Sequence, residues 1–352
     1  MKVLIFTTAY EPLIGGSEIA IAEIARHLPD ISFDILTPRY SRATASREEK
    51  NNVIIHRLGF GSLLDKFLFP IFGFFKGLQL SAQASILHAY QVSYGAITAY
   101  LVSLVISRPL ILTLQEGKQL ENQNLFIRLI RRFLIPRADQ ITAISPYLAN
   151  YAKTMRSGNS VAIIPNGVST SFFQEASQPQ EPIVISVSRL VPKNGLENLI
   201  VAMKQVPAML WLVGEGSQRN YLEKFAQDRG ITNVIFKGAV PHHDLPQLLS
   251  RASLFARPSL SEGLGSAFLE AMASGVPVIG SPVGGIPMFL KHEKTGLLCN
   301  PHDPDNIAEA INRLLSDDIL REKVRTNAQS LVRLKFKWET IAQRMAEVYR
   351  SL

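Results

Sequence analysis

The chain alternates short apolar runs with helix-patterned stretches, and it does so twice, with a polar break between the two passes. In the first pass Val3–Thr7, Ser32–Thr37, Val53–Arg57, Ile86–Ala89, Leu110–Leu114 and Gln140–Ile144 read as strands. Ser17 is placed to cap a helix running to about Leu28, with Ile21, Ile24 and Ala25 on its apolar side, and a second helix is expected near Gly95–Ile106. After Gln174–Pro182, a polar, proline-rich stretch that reads as a linker, the pattern restarts. Ile183–Ser188, Met209–Val213, Val234–Lys237, Leu254–Ala256 and Pro277–Gly280 are the strands of this second pass. Strands separated by helices demand parallel sheets covered on both faces, so the expected architecture is α/β with two doubly wound domains. Their bounds are expected at 1–173 and 183–335, followed by a terminal helix over 336–352 with Trp338, Ile341, Met345 and Val348 on one face.

Composition narrows the function classes. Of 352 residues, 47% are hydrophobic and 19% charged, which excludes a disordered chain and supplies two cores. The one cysteine, Cys299, rules out an intramolecular disulfide and a cysteine-based zinc site, and fits a reducing cytoplasmic compartment. Met1–Phe6 is too short an apolar run for a signal peptide and reads as a buried first strand. No stretch reaches the roughly 18 apolar residues of a membrane span. The net charge is +8, and residues 57–137 hold nine basic side chains (57, 66, 76, 108, 118, 128, 131, 132, 137) against three acidic ones (65, 116, 121). That segment also contains the aromatic run Phe67–Phe75. A basic, aromatic-rich surface suits an anionic membrane, at its inner face, or a lipid-linked anionic substrate. The alternative is a buried helix beside a solvated basic face.

The strongest chemical constellation is Glu262-Gly263-Leu264-Gly265-Ser266-Ala267-Phe268-Leu269-Glu270, at the junction of a strand, the loop Arg257-Pro258-Ser259 and a helix. Glu262 falls at the carboxyl edge of the sheet, where open α/β sheets bind ligands, and Glu270 about two turns into the helix. Gly263 and Gly265 let backbone come close to a ligand, and bare N–H groups at a helix start suit an anion or a sugar hydroxyl. Arg189 and Lys193 are two cations four residues apart at another strand-to-helix junction. Gly15 and Gly16 occupy the first strand-to-helix loop.

Pro258–Gly265 and Leu269–Ile279 together resemble the signature of glycosyltransferase family four, whose members have the GT-B fold, two Rossmann-like domains facing a central cleft. Gly15-Gly16-Ser17-Glu18, Ile164-Pro165-Asn166-Gly167-Val168, Ser188–Gly195, Val213-Gly214-Glu215-Gly216 and Thr295-Gly296-Leu297-Leu298 extend the resemblance over nearly the whole chain. It implies a retaining, metal-independent hexosyl transfer from a UDP- or GDP-linked sugar to a hydroxyl of a glycan or lipid-linked acceptor, with no other cofactor. Glu262 would touch donor-sugar hydroxyls and Glu270 the ribose hydroxyls, a role carboxylates suit because they accept from adjacent O–H groups. Arg189 and Lys193 would hold the diphosphate and stabilise the leaving nucleotide. Gly15 and Gly16 would admit the phosphates or the acceptor to main-chain amides, the backbone of Val240 would recognise the base, and Gly263, Leu264 and Gly265 would line the donor. The terminal helix would return to the first domain.

The first domain departs from the family pattern. Where a His-x-His-like motif is expected the chain has His88-Ala89-Tyr90, and where a further histidine is expected it has Gln115-Glu116. His88, Gln115 and Glu116 are therefore candidate acceptor or sugar contacts, and a catalytically silent sugar-nucleotide-binding subunit is the alternative function. Asp303-Pro304-Asp305 could suggest a metal, but opening a helix it reads as an N-cap. His242-His243 reads as solvated loop. A Rossmann dehydrogenase is disfavoured because neither Gly15-Gly16 nor Gly214-Glu215-Gly216 continues into G-x-G-x-x-G. Nucleic-acid binding lacks any recognition motif.

Overall fold

The computed structural model describes residues 1–13, 15–115, 125–156, 161–173 and 181–352. They form two Rossmann-like α/β units, Met1–Asn166 with Trp338–Leu352, and Gly167–Lys337.

The sheet of the first unit contains β1 (Lys2–Phe6), β2 (Ser32–Pro38), β3 (Arg47–Lys50), β4 (Val53–Leu58), β5 (Ile86–Tyr90), β6 (Leu110–Leu114), β7 (Gln140–Ala143) and β8 (Val161–Ile163). Their order is β3-β4-β2-β1-β5-β6-β7-β8. Every pairing is parallel except β3 with β4, where Arg47 stands opposite His56. The central strands β1 and β5 are almost wholly buried, which is why they read as continuous apolar runs rather than alternating ones. The helix Gly16–Arg26 starts from Gly15, and Ser17 is not its cap; the Ser17 hydroxyl donates instead to Glu18 at 3.0 Å. The helix Trp338–Arg350 completes this unit's core with Trp338, Ile341, Met345 and Tyr349. Tyr349 takes the buried position expected of Val348, which is only half-buried. At roughly 1.5–3 kcal/mol for each large apolar side chain removed from water, these four residues alone fix the helix to the unit.

The sheet of the second unit contains β9 (Ile183–Val187), β10 (Met209–Val213), β11 (Val234–Gly238), β12 (Leu254–Arg257), β13 (Val278–Gly280) and β14 (Leu297–Leu298). All are parallel, in the order β11-β10-β9-β12-β13-β14. Residues 167–173, expected with the first domain, belong here. The Val168 N–H donates to the Phe336 carbonyl at 2.6 Å, and Phe172 is buried against His242. Asp303 caps the helix Pro304–Ser316, its carboxylate accepting from the N–H groups of Asp305 and Asn306 at 3.1 Å.

In each unit the first strand is central and the chain winds out from it in both directions, from β1 to β2 on one side and β5 on the other, and from β9 to β10 and β12. Crossovers that leave a parallel sheet on opposite faces open a crevice at the carboxyl ends of those adjacent strands. The β1/β5 and β9/β12 ends are therefore the positions at which each unit can hold a ligand.

Candidate functional site

At the β9/β12 end of the second unit the expected residues come together. Lys193 lies in the tight turn Pro192–Asn194 just beyond β9. Its backbone carbonyl accepts from the Leu260 N–H at 2.7 Å, which fastens the β9 loop to the β12 loop. Gly195 makes that approach possible: at φ +65° it is left-handed, and a Cβ there would sit 2.0 Å from the Pro258 carbonyl oxygen. The Lys193 amine is 3.8 Å from Glu262. Burial lowers the amine from its ordinary value, Glu262 opposes that, and the charges of Arg257 and Arg189 add to the lowering. Arg189 itself is exposed, and its carbonyl accepts from the Asn194 side chain at 2.6 Å.

Glu262 is gripped from several sides. Arg257, the last residue of β12, donates to it at 2.9 Å, and the Gly263 N–H donates at 3.1 Å. Arg257 also donates to the Val187 carbonyl and to the Ser259 hydroxyl, both at 3.1 Å, and lies on the ring of Phe268. The Gly285 N–H takes the Glu262 carbonyl at 3.1 Å, and Gly284, at φ +55°, has no room for a Cβ beside that carbonyl. Gly265, at φ +97°, starts the helix Ser266–Ala273 with no side chain capping it. Leu264 turns its side chain into the core, so only its backbone, like that of Gly263 and Gly265, is available to a ligand. Glu270 is mostly buried on this helix and bonds the His242 imidazole at 3.0 Å. His242, expected to be a solvated loop residue, instead packs on Phe172 with ring centroids 5.2 Å apart, while His243 is exposed. Val240 is half-buried two residues before His242.

The β1/β5 end of the first unit gathers mostly neutral polar groups. Gln115, at the end of β6, donates to Asn166 at 3.1 Å, and Asn166 donates to the Gly16 carbonyl at 3.3 Å. The other Gln115 side-chain atom, Oε1, is buried and accepts no hydrogen bond from the described residues. Gln91, one residue past β5 and held at φ +66°, donates to Ser17, which donates to Glu18. Burial raises the Glu18 carboxyl, partly offset by the Ser17 hydroxyl and the Gly15 N–H. Gly15 leaves room for this fold-back: a Cβ there would lie 2.5 Å from a Glu18 carboxylate oxygen, so that carboxylate would have to shift.

His88 is not a ligand contact in this structure. It is wholly buried, its Nδ1 bonded to the Tyr349 hydroxyl at 2.8 Å and its Nε2 to the Thr113 hydroxyl at 2.7 Å. Burial pushes its pKa down to about 3. Its work is to tie the terminal helix to the sheet. Glu116 lies outside the described residues. Among the described residues no group of three or more His, Cys, Asp or Glu side chains could hold a metal, and no helix is long and apolar enough to cross a membrane.

Residue types and spacing assigned no role to Arg257, His242, Gln91, Glu18 or Asn166. Arg257 carried one signal, a charge ending the apolar strand Leu254-Phe255-Ala256. Gln91 had none, since its backbone conformation is not legible in its identity.

Comparison with known proteins covers both units. The model for glycosyl transferases group 1 matches residues 168–331, and that for Glycosyltransferase Family 4 matches residues 14–172. An uncharacterized glycosyltransferase of Methanocaldococcus jannaschii is 38% identical over 49% of this chain and 46% of its own length, so the match spans about half of that relative. A GDP-mannose-dependent alpha-(1-6)-phosphatidylinositol monomannoside mannosyltransferase of Mycobacterium tuberculosis is 32% identical over 60% of this chain and 62% of its own. The structure of Anabaena HepE, determined with UDP and glucose, superposes with a TM-score of 0.84 at 23% identity, covering 100% of both chains.

Proposed function

Because the chain belongs to the group 1 and family four glycosyltransferases, with their two Rossmann-like units, we propose that it moves a hexose-type sugar from a UDP- or GDP-linked donor to a hydroxyl of a glycan or lipid-linked acceptor, with retention of configuration. The observation that carries this reading is the meeting of Lys193, Glu262 and the exposed Arg189 at the β9/β12 end, with Glu270 on the helix that follows. A nucleoside diphosphate sugar offers an anionic diphosphate and two sets of vicinal hydroxyls. Two cations and two carboxylates are the matching complement. The relatives, one described as GDP-mannose-dependent and one solved with UDP, support a nucleotide-linked donor, with UDP and GDP both compatible.

In this reading Glu270 accepts from the ribose hydroxyls, displacing His242, and Glu262 accepts from the sugar. Val240 presents its backbone to the base. Arg189 and Lys193 bind the diphosphate and stabilise the charge it gains as the bond to the anomeric carbon breaks, without a metal. The acceptor oxygen attacks that carbon from the face the diphosphate leaves, and the acceptor proton passes to a diphosphate oxygen. Glu262 serves as a hydrogen-bond acceptor and not as a nucleophile, since its carboxylate is engaged by Arg257, Lys193 and the Gly263 N–H. On the first unit, the side chain of Gln115 would have to turn its buried Oε1 outward to accept from an acceptor hydroxyl, with Gly15 and Gly16 nearby in the first strand-to-helix loop. Gln115 thus replaces a histidine by a neutral acceptor, so loss of the imidazole does not require the silent-subunit alternative. The single cysteine, buried, suits the reducing cytoplasm.

The test is transfer from UDP- and GDP-hexoses, read as product by proton NMR. Retention of the anomeric configuration is expected, with Lys193→Met lowering kcat about 10²–10³-fold. An inverted product, or no nucleotide raising the melting temperature, overturns the reading.

A further inference from the structure

Outside both edges, one surface of the first unit stands apart. Among the described residues, thirteen of the twenty exposed large hydrophobic side chains fall between residues 60 and 133. They are brought together by three helices. The helix Asp65–Ser81 packs on the helix Tyr94–Ser103 through a narrow stripe at every fourth position, Phe69, Gly73 and Gly77. The glycines let the two backbones close, since a Cβ at 73 or 77 would lie 2.8 Å from Thr98 or Val102. A stripe of that period leaves a second one facing outward: Phe67, Ile71 and Phe75 are 50%, 56% and 67% exposed. Phe67 meets Tyr94 at 5.5 Å between centroids, and Tyr100 meets Phe133 of the helix Leu125–Leu134 at 5.4 Å, so the surface is continuous across all three. That last helix adds exposed Leu125 and Leu129.

Among the described residues, the exposed charges on this surface have one sign. Lys66, Arg128, Arg132 and Arg137 are exposed among the apolar side chains. Lys66 lies 4.7 Å from the centroid of the Phe67 ring and Arg137 lies 3.8 Å from that of Phe133. The one acid described between residues 57 and 137, Asp65, is buried and accepts from the N–H groups of Gly61 and Ser62 at 2.7 and 3.0 Å. Surfaces that receive a protein also favour aromatics and arginine, but the charged residues are depleted at their core, whereas here the cations stand among the apolar side chains. Aromatic and aliphatic side chains set among cations alone, on helices too short or too polar to cross, are the chemistry of a bilayer interface with anionic headgroups.

We propose that this three-helix face docks on an anionic membrane, Phe67, Ile71 and Phe75 entering the headgroup boundary while Lys66, Arg128, Arg132 and Arg137 meet lipid phosphates. The test is flotation of the full chain with vesicles of phosphatidylcholine alone or with about 30% phosphatidylglycerol, at about 50 mM and 500 mM salt. Binding to the anionic vesicles at low salt is expected, with little to neutral ones. Arg128→Gln with Arg132→Gln should lower the partition about 30-fold, and Ile71→Ser with Phe75→Ser at least about tenfold. Both double variants, changed at exposed positions, should keep the wild-type nucleotide-induced melting shift, which separates failure of this inference from failure of the transferase reading. Equal binding to neutral vesicles, no binding to either, or wild-type partition of the arginine variant overturns it. So does a concentration-dependent dimer that Ile71→Ser with Phe75→Ser abolishes, because a second copy would then occupy the face.

Discussion

Arg257→Met is the substitution that most directly tests how the Glu262 carboxylate, the proposed donor contact, is held. Methionine keeps much of the length and apolar contact with Phe268 but removes three donors. Those donors serve Glu262 at 2.9 Å and the Val187 carbonyl and Ser259 hydroxyl at 3.1 Å. The Arg257 and Glu262 side chains are only 6% and 13% exposed. An exposed ion pair contributes at most about 1 kcal/mol. Removing one partner of a buried pair costs about 3–5 kcal/mol, because the other charge stays desolvated. Here Glu262 keeps Lys193 at 3.8 Å and the Gly263 N–H, so the low end applies, about 3 kcal/mol. Glu262→Gln alone should cost about 1–2 kcal/mol. The double variant should cost less than the sum by about 1–3 kcal/mol, since it removes both charges together. Urea unfolding of the second unit, followed through Trp211 in a Trp338→Phe background, measures all four corners. A single Arg257→Met cost below about 1 kcal/mol, or additivity within about 0.5 kcal/mol, refutes the clamp.

Glu270→Ala tests the proposed ribose contact. A nucleotide at about a hundred times its Kd stabilises the wild type by about 2.7 kcal/mol, or roughly 5–10 °C for a unit of this size. Loss of two charge-assisted hydrogen bonds, about 3 kcal/mol in total, should leave about 1 °C, and an unchanged shift would place the ribose elsewhere. His88 makes the first unit acid-sensitive. The unfolded chain protonates it below about pH 6.5 and the folded chain only near pH 3, so its contribution is complete above pH 6.5 and lost as the pH falls from there. The slope should be about 1.4 kcal/mol per pH unit, and His88→Gln should remove one proton's worth of it; an identical slope in the variant sinks the assignment.

The alternating strands and helices were legible because both sheets are buried on both faces, which forces apolar runs. β3 was not. Arg47-Glu48-Glu49-Lys50 is a polar edge strand whose only structural demand is backbone pairing with β4, and that leaves no hydrophobic period to detect. β8 is three half-buried residues and too short to register. The domain boundary moved from 173 to 166 because Phe172 packs by tertiary contact, while the polar stretch that follows it in sequence does not mark where packing changes. Ser17 satisfied the rule for a cap, yet a glycine preceded it that could start the helix, and Glu18 claimed the hydroxyl. Glu262 and Glu270 were readable from a local run of nine residues. Their partners Arg257 and His242 were not, the first because it acts through backbone and loop and the second because 28 residues separate it from Glu270.

The two sheet edges differ in a way that matches the two halves of a transfer reaction. The second unit concentrates full charges, Lys193, Arg189, Arg257, Glu262 and Glu270, where in the proposed reaction a diphosphate would be bound and then let go with more charge than it arrived with. Fixed cations in a partly desolvated edge do that without reorganising. The first unit instead offers Gln91, Gln115 and Asn166, amides linked to Ser17 and to the Gly16 carbonyl. An alcohol about to attack needs orientation more than charge, and neutral amides orient a hydroxyl at every pH at which the protein folds. The one ionisable member, Glu18, is turned back onto Gly15 and Ser17, with its carboxyl raised by burial. A histidine in place of Gln115 would add an imidazole titration to the proposed acceptor edge. With glutamine there, the pH dependence of transfer below neutrality should carry no first-unit imidazole, because His88 is already neutral and sealed in the core.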